Sequence, residues 1–196
     1  MVKTYRAAIV GGRRGVHHAR AYQDLENMEV VAICEVDDQR RASAEAELNV
    51  TGYADYEQML EKEQPDIVHA VTMPTVPRHI WVEPAAQAGV GALVIEKPIA
   101  LTFEDTLRVR EAARSAGVQV CVCFECRYSA HFTMIRSVID EGLLGDLHYA
   151  EVDYYHGIGP WYGQYQWNVK KDFGGTTLLT AGCHALDAML FFMDGA

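Results

Sequence analysis

A lysine stands at the end of an apolar run in the segment Val94–Ala100, which has the sequence VIEKPIA. Lys97 directly follows Glu96 and precedes Pro98, whose ring restricts the backbone where the run ends. An amine held in this way could bind a hydroxyl group or remove its proton, which is work suited to Lys or His side chains. The pattern predicts a catalytic or substrate-binding Lys97. The plainer alternative is a solvated charge at the end of a strand.

A polar stripe crosses an otherwise apolar segment near the end of the chain, LLTAGCHALDAML. Thr180, His184 and Asp187 are spaced i, i+4 and i+7, so a helix would place all three on one face. Polar groups in such surroundings need partners or a site. We predict that His184 accepts a proton, with Asp187 orienting it or binding substrate hydroxyls, whereas Thr180 can only hydrogen-bond. The alternative is a buried His184 satisfied by Asp187.

An aromatic and glycine-rich stretch lies between these two segments, with the sequence YYHGIGPWYGQYQWN. Aromatic faces beside polar groups suit sugar rings, because the C–H faces of a sugar stack and its hydroxyls need donors and acceptors. The alternative is a packing patch at an interface. The candidate contacts are His156, Trp161, Tyr162, Trp167, Asn168 and Lys170.

A glycine turn follows the first apolar run, in the sequence AIVGGRRGVHHARAY. A turn between a strand and a helix is where a dinucleotide fingerprint belongs, although the strict Gly-x-Gly-x-x-Gly spacing is missing. Gly12 and Gly15 have the spacing of its second and third glycines, which puts Val10 in the place of the first. Alternatively, Gly11 makes the tight turn and one residue has been lost. In either case backbone N–H groups at a helix N-terminus could face a pyrophosphate.

An acidic residue, Glu35, ends the second apolar run at roughly the 20-residue distance expected of the acid that binds the ribose 2′-hydroxyl of a dinucleotide. A carboxylate at this position would repel a 2′-phosphate, which favours NAD over NADP. Arg40 and Arg41 lie just downstream and could bind a 2′-phosphate, so NADP remains possible as the cofactor. The alternative for Glu35 is an exposed acid at a strand end.

The elements that would position these residues alternate between strand and helix over the first 125 residues. Strands are predicted at Tyr5–Val10, Met28–Val36, Pro65–Met73, Gly91–Pro98 and Val118–Phe124, with helical segments between them. A helix after Thr102 has that residue as a possible N-cap and Gly117 as its stop. This order predicts an α/β fold with a doubly wound parallel sheet, whose ligands lie beyond the carboxyl ends of the strands.

The pattern changes after Arg127. His131–Gly145 has the pattern of an amphipathic helix, Asp146–His156 of a long strand, and Gly174–Met193 of a helix. A lone strand cannot make a sheet, so we expect a partial second domain, either truncated or completed by another polypeptide. We place a dinucleotide-binding domain at 1–125 and an incomplete α/β domain at 126–196.

Composition excludes several classes of protein. The chain has 196 residues and a formal net charge of -10, and its 17 Lys and Arg residues are mostly scattered, which argues against a nucleic-acid binder. The first apolar run, Ala7–Val10, is too short for a signal peptide or a membrane span, so we expect a cytoplasmic protein without a membrane partner.

The five cysteines indicate free thiols in a reducing compartment. Cys123 and Cys126, together with Cys183 and His184, could be interpreted as a zinc site. We favour a structure without metal, because Cys121 and Cys123 alternate with Val residues as in a buried strand and no second well-spaced pair is present.

The ordered set of motifs resembles the Gfo/Idh/MocA family of NAD(P)-dependent oxidoreductases. The set comprises the glycine turn, Glu35, Pro74 after the third strand, Glu96-Lys97-Pro98, Arg127, the GLLGDLHYAEV segment, Gly174-Gly175, and AGCHALD with His184 and Asp187. The resemblance covers essentially the whole chain, but only about the first half to 60% of a family member.

The resemblance implies a Rossmann domain followed by an α/β domain with an open, mostly antiparallel sheet, whose face often forms the oligomer interface. It further implies a sugar or polyol as substrate. We therefore expect an NAD-linked oxidoreductase, with NADP possible, that transfers hydride from a sugar or polyol hydroxyl and forms homo-oligomers through the second-domain sheet.

The resemblance also assigns residues. Lys97 and His184 become the catalytic pair, the Lys97–Pro98 bond is often cis, and the Asp that many members carry four residues before the His is Thr180 here, which puts the usual trio in doubt. The cofactor contacts are Gly11, Gly12, Arg13, Arg14, Gly15, Glu35, Thr72, Pro74, His79, Glu96 and Lys97. The substrate contacts are Lys97, Arg127, Trp161, Trp167, Asn168, Thr180, His184 and Asp187.

Two alternatives remain open at this point. Some relatives use bound NAD transiently to oxidise a glycoside, eliminate the aglycone and reduce the product again, so the chain could be a redox-assisted glycosidase or lyase. The short chain, the shortened glycine motif and Thr180 also fit a non-catalytic dinucleotide-binding sensor or an inactive fragment.

Overall fold

The structure is a computed structural model that describes residues 3–157, 159 and 170–193. The chain forms two compact units, Met1–Val122 and Cys123–Ala196, called here the first unit and the second unit. The predicted boundary between residues 125 and 126 stays a prediction.

A six-stranded sheet is the centre of the first unit, with strand order β3-β2-β1-β4-β5-β6. The strands are β1 (Tyr5–Val10), β2 (Met28–Cys34), β3 (Thr51–Tyr53), β4 (Ile67–Ala70), β5 (Ala92–Glu96) and β6 (Gln119–Cys123). The pairings from β3 through β5 are all parallel. The predicted doubly wound α/β fold is confirmed, and the short β3 is the one strand of this sheet that the sequence pattern did not indicate.

Helices connect the strands of the first unit. They are α1 (Gly15–Gln23), α2 (Asp38–Leu48), α3 (Tyr56–Glu63), α4 (Val82–Gln87) and α5 (Phe103–Ala116), with a 3₁₀-helix at Arg78–Trp81 before α4. The Thr102 side chain accepts a hydrogen bond from the Asp105 N–H and thereby satisfies one free donor at the start of α5. Gly117 ends α5 with φ 68°, a left-handed conformation that glycine adopts at little cost. Both predicted helix ends are confirmed.

The core lies on both faces of the sheet, because successive strand side chains point to opposite sides. Ile9 and Ile33 are fully buried against α1 and α2. Val68 and Leu93 are fully buried on the opposite face, and burying each such side chain contributes about 1.5–3 kcal/mol. The two covered faces hold the carboxyl ends of the strands in place.

Apart from Cys123, which ends β6, the regular elements in the described residues of the second unit are helices. It contains a 3₁₀-helix at Glu125–Tyr128, then α6 (Ala130–Asp140), α7 (Lys171–Gly174), a π-helical turn at Leu178–Gly182 and α8 (Cys183–Phe192). The long strand predicted at Asp146–His156 is wrong, since residues 147–157 have no regular secondary structure. A strand exists only through hydrogen bonds to a neighbour, and the described part of this unit supplies none for that segment.

Two smaller findings complete the fold. Cys121 is exposed and not buried as predicted, because β6 is the outermost strand of the sheet. Within the described residues, no helix combines the length and the apolar character needed to cross a membrane.

Candidate active site

The carboxyl ends of β1, β2, β4 and β5 lie along one edge of the first unit's sheet, here called the carboxyl edge. The strand order reverses between β1 and β4, and open parallel sheets bind ligands at such a switch point. The glycine turn follows β1, Glu35 follows β2, Thr72 follows β4 and Lys97 follows β5. The fold therefore brings four sequence-predicted positions to one edge.

Gly11 makes the tight turn after β1. Its φ is 105°, its N–H donates to the carbonyl of Cys34 at 2.8 Å, and an added Cβ would lie 2.4 Å from the carbonyl oxygen of Val71. A Cβ on Gly15 would lie 2.7 Å from Cγ2 of Ile9, so this glycine lets α1 pack closely on β1. The geometry favours the second sequence interpretation, in which Gly11 takes the place of the first glycine.

Glu35 ties the glycine turn to the end of β2. Its carboxylate accepts a hydrogen bond from the Gly12 N–H at 2.8 Å and from the Asp37 N–H at 3.0 Å. The side chain of Arg40 donates to the same carboxylate at 3.1 Å. Glu35 is buried, and the alternative of an exposed strand-end acid is therefore wrong.

The charge of Glu35 is stabilised by these contacts. Burial opposes ionisation, but the hydrogen bonds from Arg40, Asp37 and Gly12 outweigh it and hold the pKa of the carboxyl below its ordinary value. Arg41 donates to the Glu35 carbonyl oxygen at 3.0 Å and pairs with Asp38. Arg40 and Arg41, which could have bound the 2′-phosphate of NADP, are thus paired with Glu35 and Asp38. This arrangement suits a ribose hydroxyl better than a phosphate.

The start of α1 suits an anionic group. Its first turn carries no acidic side chain, and Arg13 and Arg14 are exposed just before it. Backbone N–H groups at a helix N-terminus attract phosphate. The close glycine approach, this helix start and the ionised Glu35 together fit a dinucleotide, with the pyrophosphate at α1 and a ribose at Glu35.

The segment after β4 contains a buried cation that the sequence pattern did not indicate. Arg78 is 1% exposed, donates to the Thr72 carbonyl at 2.7 Å and also contacts the Thr72 hydroxyl. Burial lowers its pKa to about 10, so it stays charged at neutral pH. Pro74 lies in the turn between these residues, and His79 follows Arg78 in the 3₁₀-helix. Arg78 thus fixes the loop that carries the predicted contact Thr72.

Glu96 is the last residue of β5, and Lys97 follows it. Glu96 pairs with His18 of α1, with His18 Nε2 and a Glu96 carboxylate oxygen 3.0 Å apart. Burial opposes the ionisation of Glu96, but the hydrogen bond and charge of His18 outweigh it and lower the pKa of this carboxyl. Lys97 is half-buried and its bond to Pro98 is cis, as the resemblance implied. The sequence pattern did not indicate this pair, because His18 and Glu96 lie far apart along the chain and meet only where α1 packs on the sheet.

An ion pair dominates the second unit. Arg127 donates from Nε and from a terminal nitrogen to the two carboxylate oxygens of Asp187, at 2.8 and 2.6 Å. Such a two-pronged pair fixes both side chains. The Asp187 side chain is 8% exposed. Asp187 therefore positions Arg127, and the expectation that it orients His184 directly gains no support from these contacts.

His184 lies on the buried face of α8, and Thr180 precedes it in the π-helical turn. The ring of Phe124 meets the His184 ring edge-on at 5.9 Å, and the ring of Tyr154 stacks on it at 6.1 Å. A carboxylate oxygen of Glu125 lies 4.0 Å from His184 Nε2. The Thr180 hydroxyl donates to the Thr176 carbonyl at 3.1 Å. His184 is thus enclosed by two aromatic rings and has one carboxylate nearby.

The remaining predicted contacts fall in the aromatic stretch. Trp161, Tyr162, Trp167 and Asn168 lie outside the described residues. The ring of His156 stacks on Tyr154 at 5.9 Å. Lys170 Nζ lies 5.9 Å from the ring centre of Phe173.

Family comparisons agree with this geometry. Residues 5–124 match the family model described as "Oxidoreductase family, NAD-binding Rossmann fold". Residues 132–196 match the model described as "GFO/IDH/MocA C-terminal domain".

Curated relatives match most of the chain. The chain is 33% identical over 166 residues to the D-apiose dehydrogenase of Paraburkholderia graminis, covering 83% of this chain and 44% of that protein. It is 28% identical over 192 residues to the D-glucoside 3-dehydrogenase of Escherichia coli, covering 96% of this chain and 54% of that protein. The chain therefore spans about half the length of these relatives.

Solved structures share the fold. The myo-inositol 2-dehydrogenase of Lactobacillus plantarum superposes with a TM-score of 0.78 at 26% identity, covering 98% of this chain and 57% of that one. The scyllo-inositol dehydrogenase of Lactobacillus casei, with bound NAD(H) and scyllo-inositol, has a TM-score of 0.82 at 22% identity. This match covers 98% of this chain and 57% of that one. The chain thus belongs to the Gfo/Idh/MocA oxidoreductase family and carries the NAD-binding Rossmann fold of that family in its first unit.

Proposed function

We propose that this chain acts in the NAD-dependent oxidation of a sugar or polyol hydroxyl. The observation that supports the proposal most is the carboxyl edge, where the glycine turn, the ionised Glu35 and Lys97 follow the strands β1, β2 and β5 of one parallel sheet. The names of the relatives support the substrate class, since apiose, a glucoside and inositol all present ring or chain hydroxyls.

Each residue has a distinct task in the first unit. Backbone N–H groups at the start of α1 hold the pyrophosphate, and the Glu35 carboxylate accepts a hydrogen bond from a ribose hydroxyl. When bound, NAD supplies the hydride acceptor. Lys97 donates a hydrogen bond to the substrate hydroxyl and orients it, because its backbone is held between Glu96, which pairs with His18, and Pro98.

The second unit supplies the proton acceptor in this proposal. His184 would take the proton of the substrate hydroxyl, and the carbon that bears this hydroxyl would give its hydride to bound NAD, so that the alcohol becomes a carbonyl. The rings of Phe124 and Tyr154 limit how the imidazole can turn. Arg127 is fixed by Asp187 and presents a cation to substrate hydroxyls. Thr180 hydrogen-bonds to its own helix and takes no proton.

The two alternatives receive less support. The relatives named D-apiose dehydrogenase, D-glucoside 3-dehydrogenase and inositol 2-dehydrogenase are 33%, 28% and 29% identical to this chain, whereas the glycosyl hydrolase family 109 protein of Akkermansia muciniphila is 25% identical. A non-catalytic sensor would not require a half-buried lysine at the carboxyl edge.

The test compares Lys97→Met with Lys62→Met. Lys97→Met keeps the length of the side chain and removes the amine, and Lys62 lies on the exposed side of α3 and provides a matched control. NADH fluorescence gives the cofactor affinity, and NADH formation is followed against a panel of aldoses, glycosides and inositols. We expect Lys97→Met to lower kcat/KM by about 10²–10⁴-fold, far more than it weakens NADH binding, and Lys62→Met to change neither.

The outcomes separate the three functions. Normal turnover by Lys97→Met would overturn the role of Lys97. Tight NADH binding without turnover of any compound in the panel would favour the sensor. Cleavage of a glycoside without net NADH formation would favour the redox-assisted glycosidase.

We further propose that the protein is cytoplasmic and forms homo-oligomers. The five cysteines form no disulfide, which supports a reducing compartment. Exposed apolar side chains of the second unit, Leu143 at 67% and Tyr155 at 91%, support association. The sheet interface implied by the resemblance is not formed by the described residues of that unit. Light scattering coupled to gel filtration tests the proposal, and a monomer at high concentration would refute the association.

A further inference from the structure

Two histidines, a glutamate and a tyrosine meet on the α1 face of the sheet, and the functional assignments above use only the pair of Glu96 with His18. His69 of β4 is the register partner of Ile9, which packs against α1, and of Val94 in β5. Glu96 lies two residues beyond Val94 and so points to the same face. The register of the sheet thus places His69 and Glu96 side by side beneath α1.

The contacts within this group are close. His18 Nε2 lies 3.0 Å from a Glu96 carboxylate oxygen. The rings of His18 and His69 are 4.5 Å apart and inclined at 61°. The Tyr22 hydroxyl lies 3.2 Å from His69 Nδ1. One ligand atom from each of His18, His69 and Glu96 lies within 4.8 Å of those of the others.

His69 has an unusual bonding state. The residue is 2% exposed, and its Nε2 atom is buried with no hydrogen-bond partner anywhere in the described part of the chain. A buried imidazole nitrogen without a partner costs about 1–3 kcal/mol. If Nδ1 donates to the Tyr22 oxygen, Nε2 is a free lone pair inside the group. A bound cation would satisfy this lone pair.

The chemistry of the group suits a divalent transition metal. Zinc takes His nitrogen and carboxylate oxygen at about 2.0–2.2 Å, so tetrahedral ligand atoms lie roughly 3.3 Å apart. Burial lowers the pKa of His69 to about 4, which keeps the imidazole neutral as a metal ligand requires. Tyr22 occupies the place of an outer partner that orients a ligating His.

We propose that His18, His69 and Glu96 form a zinc-binding site, with His69 Nε2 as one ligand. The ion would join α1 to β4 and β5 directly beneath the backbone of Lys97 and would stabilise the carboxyl edge. The proposal does not depend on the oxidoreductase function. The opposing interpretation is an ion pair between His18 and Glu96 with His69 packed beside it.

The experiment titrates Zn²⁺ into chelator-treated protein by calorimetry and repeats the titration with Co²⁺, whose visible absorption reports tetrahedral ligation. His18→Gln is the main variant because His18 is half-buried and its helix can tolerate the change. His69→Phe fills the buried space without a ligand. His17→Gln is the matched control, since His17 is the exposed neighbour on the same helix.

We expect one Zn²⁺ per chain at this site, with affinity lowered at least about hundredfold in His18→Gln and His69→Phe and about tenfold in Tyr22→Phe. His17→Gln should bind as the unaltered protein does. Zn²⁺ should also raise the unfolding temperature of the unaltered protein but not of His18→Gln, which serves as a second readout if His69→Phe does not fold.

A second group in the second unit, Glu125, Cys126 and His184, could also bind a metal and must be separated from the first. Cys126→Ser provides the separation. Zinc binding that is lost in Cys126→Ser but retained in His18→Gln would overturn the proposal. Absence of stoichiometric binding to the unaltered protein would also overturn it and would support the simple ion pair.

Discussion

Replacing Glu35 by Gln removes one negative charge from the carboxyl edge while keeping the length of the side chain. The Glu35 carboxylate accepts from the Gly12 and Asp37 N–H groups, at 2.8 and 3.0 Å, and from Arg40 at 3.1 Å. The Gln carbonyl can accept from one of the two backbone groups, but its amide is a donor and leaves the other unsatisfied.

The expected cost follows from this mismatch. An unsatisfied buried N–H costs about 1–3 kcal/mol, whereas the half-exposed Arg40 contact contributes little. We therefore expect Glu35→Gln to lower the free energy of unfolding by about 2 kcal/mol. Arg40→Ala, which keeps the carboxylate and its two backbone partners, should lower it by less than about 1 kcal/mol.

The same change should alter cofactor selection. A neutral amide binds a ribose hydroxyl less strongly than a carboxylate, so we expect the Kd of NADH to rise about tenfold, equivalent to about 1.4 kcal/mol. The carboxylate no longer repels a 2′-phosphate and Arg40 is released from it, so NADPH should gain relative to NADH. In Glu35→Gln combined with Arg40→Ala, the gain for NADPH should be lost.

Urea unfolding followed by circular dichroism measures the stability, and fluorescence titrations measure both cofactors. Amide hydrogen exchange at Gly12 and Asp37 locates the effect, since the loss of the acceptor should expose one of these groups to faster exchange. An unchanged urea midpoint together with unchanged NADH affinity would refute the reasoning that Glu35 supports the turn and the ribose site.

Three further results are expected. The pKa of Glu35 in the folded state lies below its ordinary value of 4.5, so the stabilisation by its carboxylate is present above pH 4.5 and is lost as the pH falls through the lowered pKa. The difference in urea midpoint between the unaltered protein and Glu35→Gln should therefore disappear in acid. Gly11→Ala should lower the free energy of unfolding by more than about 2 kcal/mol, since the added Cβ would clash with the Val71 carbonyl. Gly91→Ala is the control, because Gly91 does not have a positive φ and its added Cβ would lie 3.7 Å from the nearest atom, the Asp66 carbonyl oxygen; its unfolding temperature should be nearly unchanged. Asp187→Asn should lower the free energy of unfolding by about 3–5 kcal/mol, because it leaves the partly buried Arg127 cation without its paired charge. Urea unfolding followed by near-UV circular dichroism measures this effect, and an unchanged midpoint would contradict it.

Local signals in the sequence were sufficient to predict the nucleotide-binding elements of the first unit. The apolar runs, the Thr102 cap and the glycine stop at Gly117 each depend on residues within a few positions of one another, so they could be predicted without knowledge of the fold. The close approach of Gly11 and the place of Glu35 followed from the order of strand, turn and helix.

The errors arose where structure depends on neighbours. The alternating pattern of Asp146–His156 satisfied the rule for a strand, but no described segment pairs with it. Cys121 had the pattern of a core residue, but its strand lies at the edge of the sheet. Exposure and pairing are decided by what packs beside an element, which a local pattern does not contain.

The sequence by itself determined the family, the alternation of strands and helices, and the positions at which an acid, a lysine and a glycine turn end their strands, because these depend on short-range order along the chain. Only the tertiary structure decided which side chains meet. Arg127 and Asp187 are 60 residues apart, and they pair because the fold of the second unit brings α8 to the segment that holds Arg127. His18, His69 and Glu96 meet because parallel register and the packing of α1 on the sheet converge at one point, and sequence separation carries no information about such a convergence.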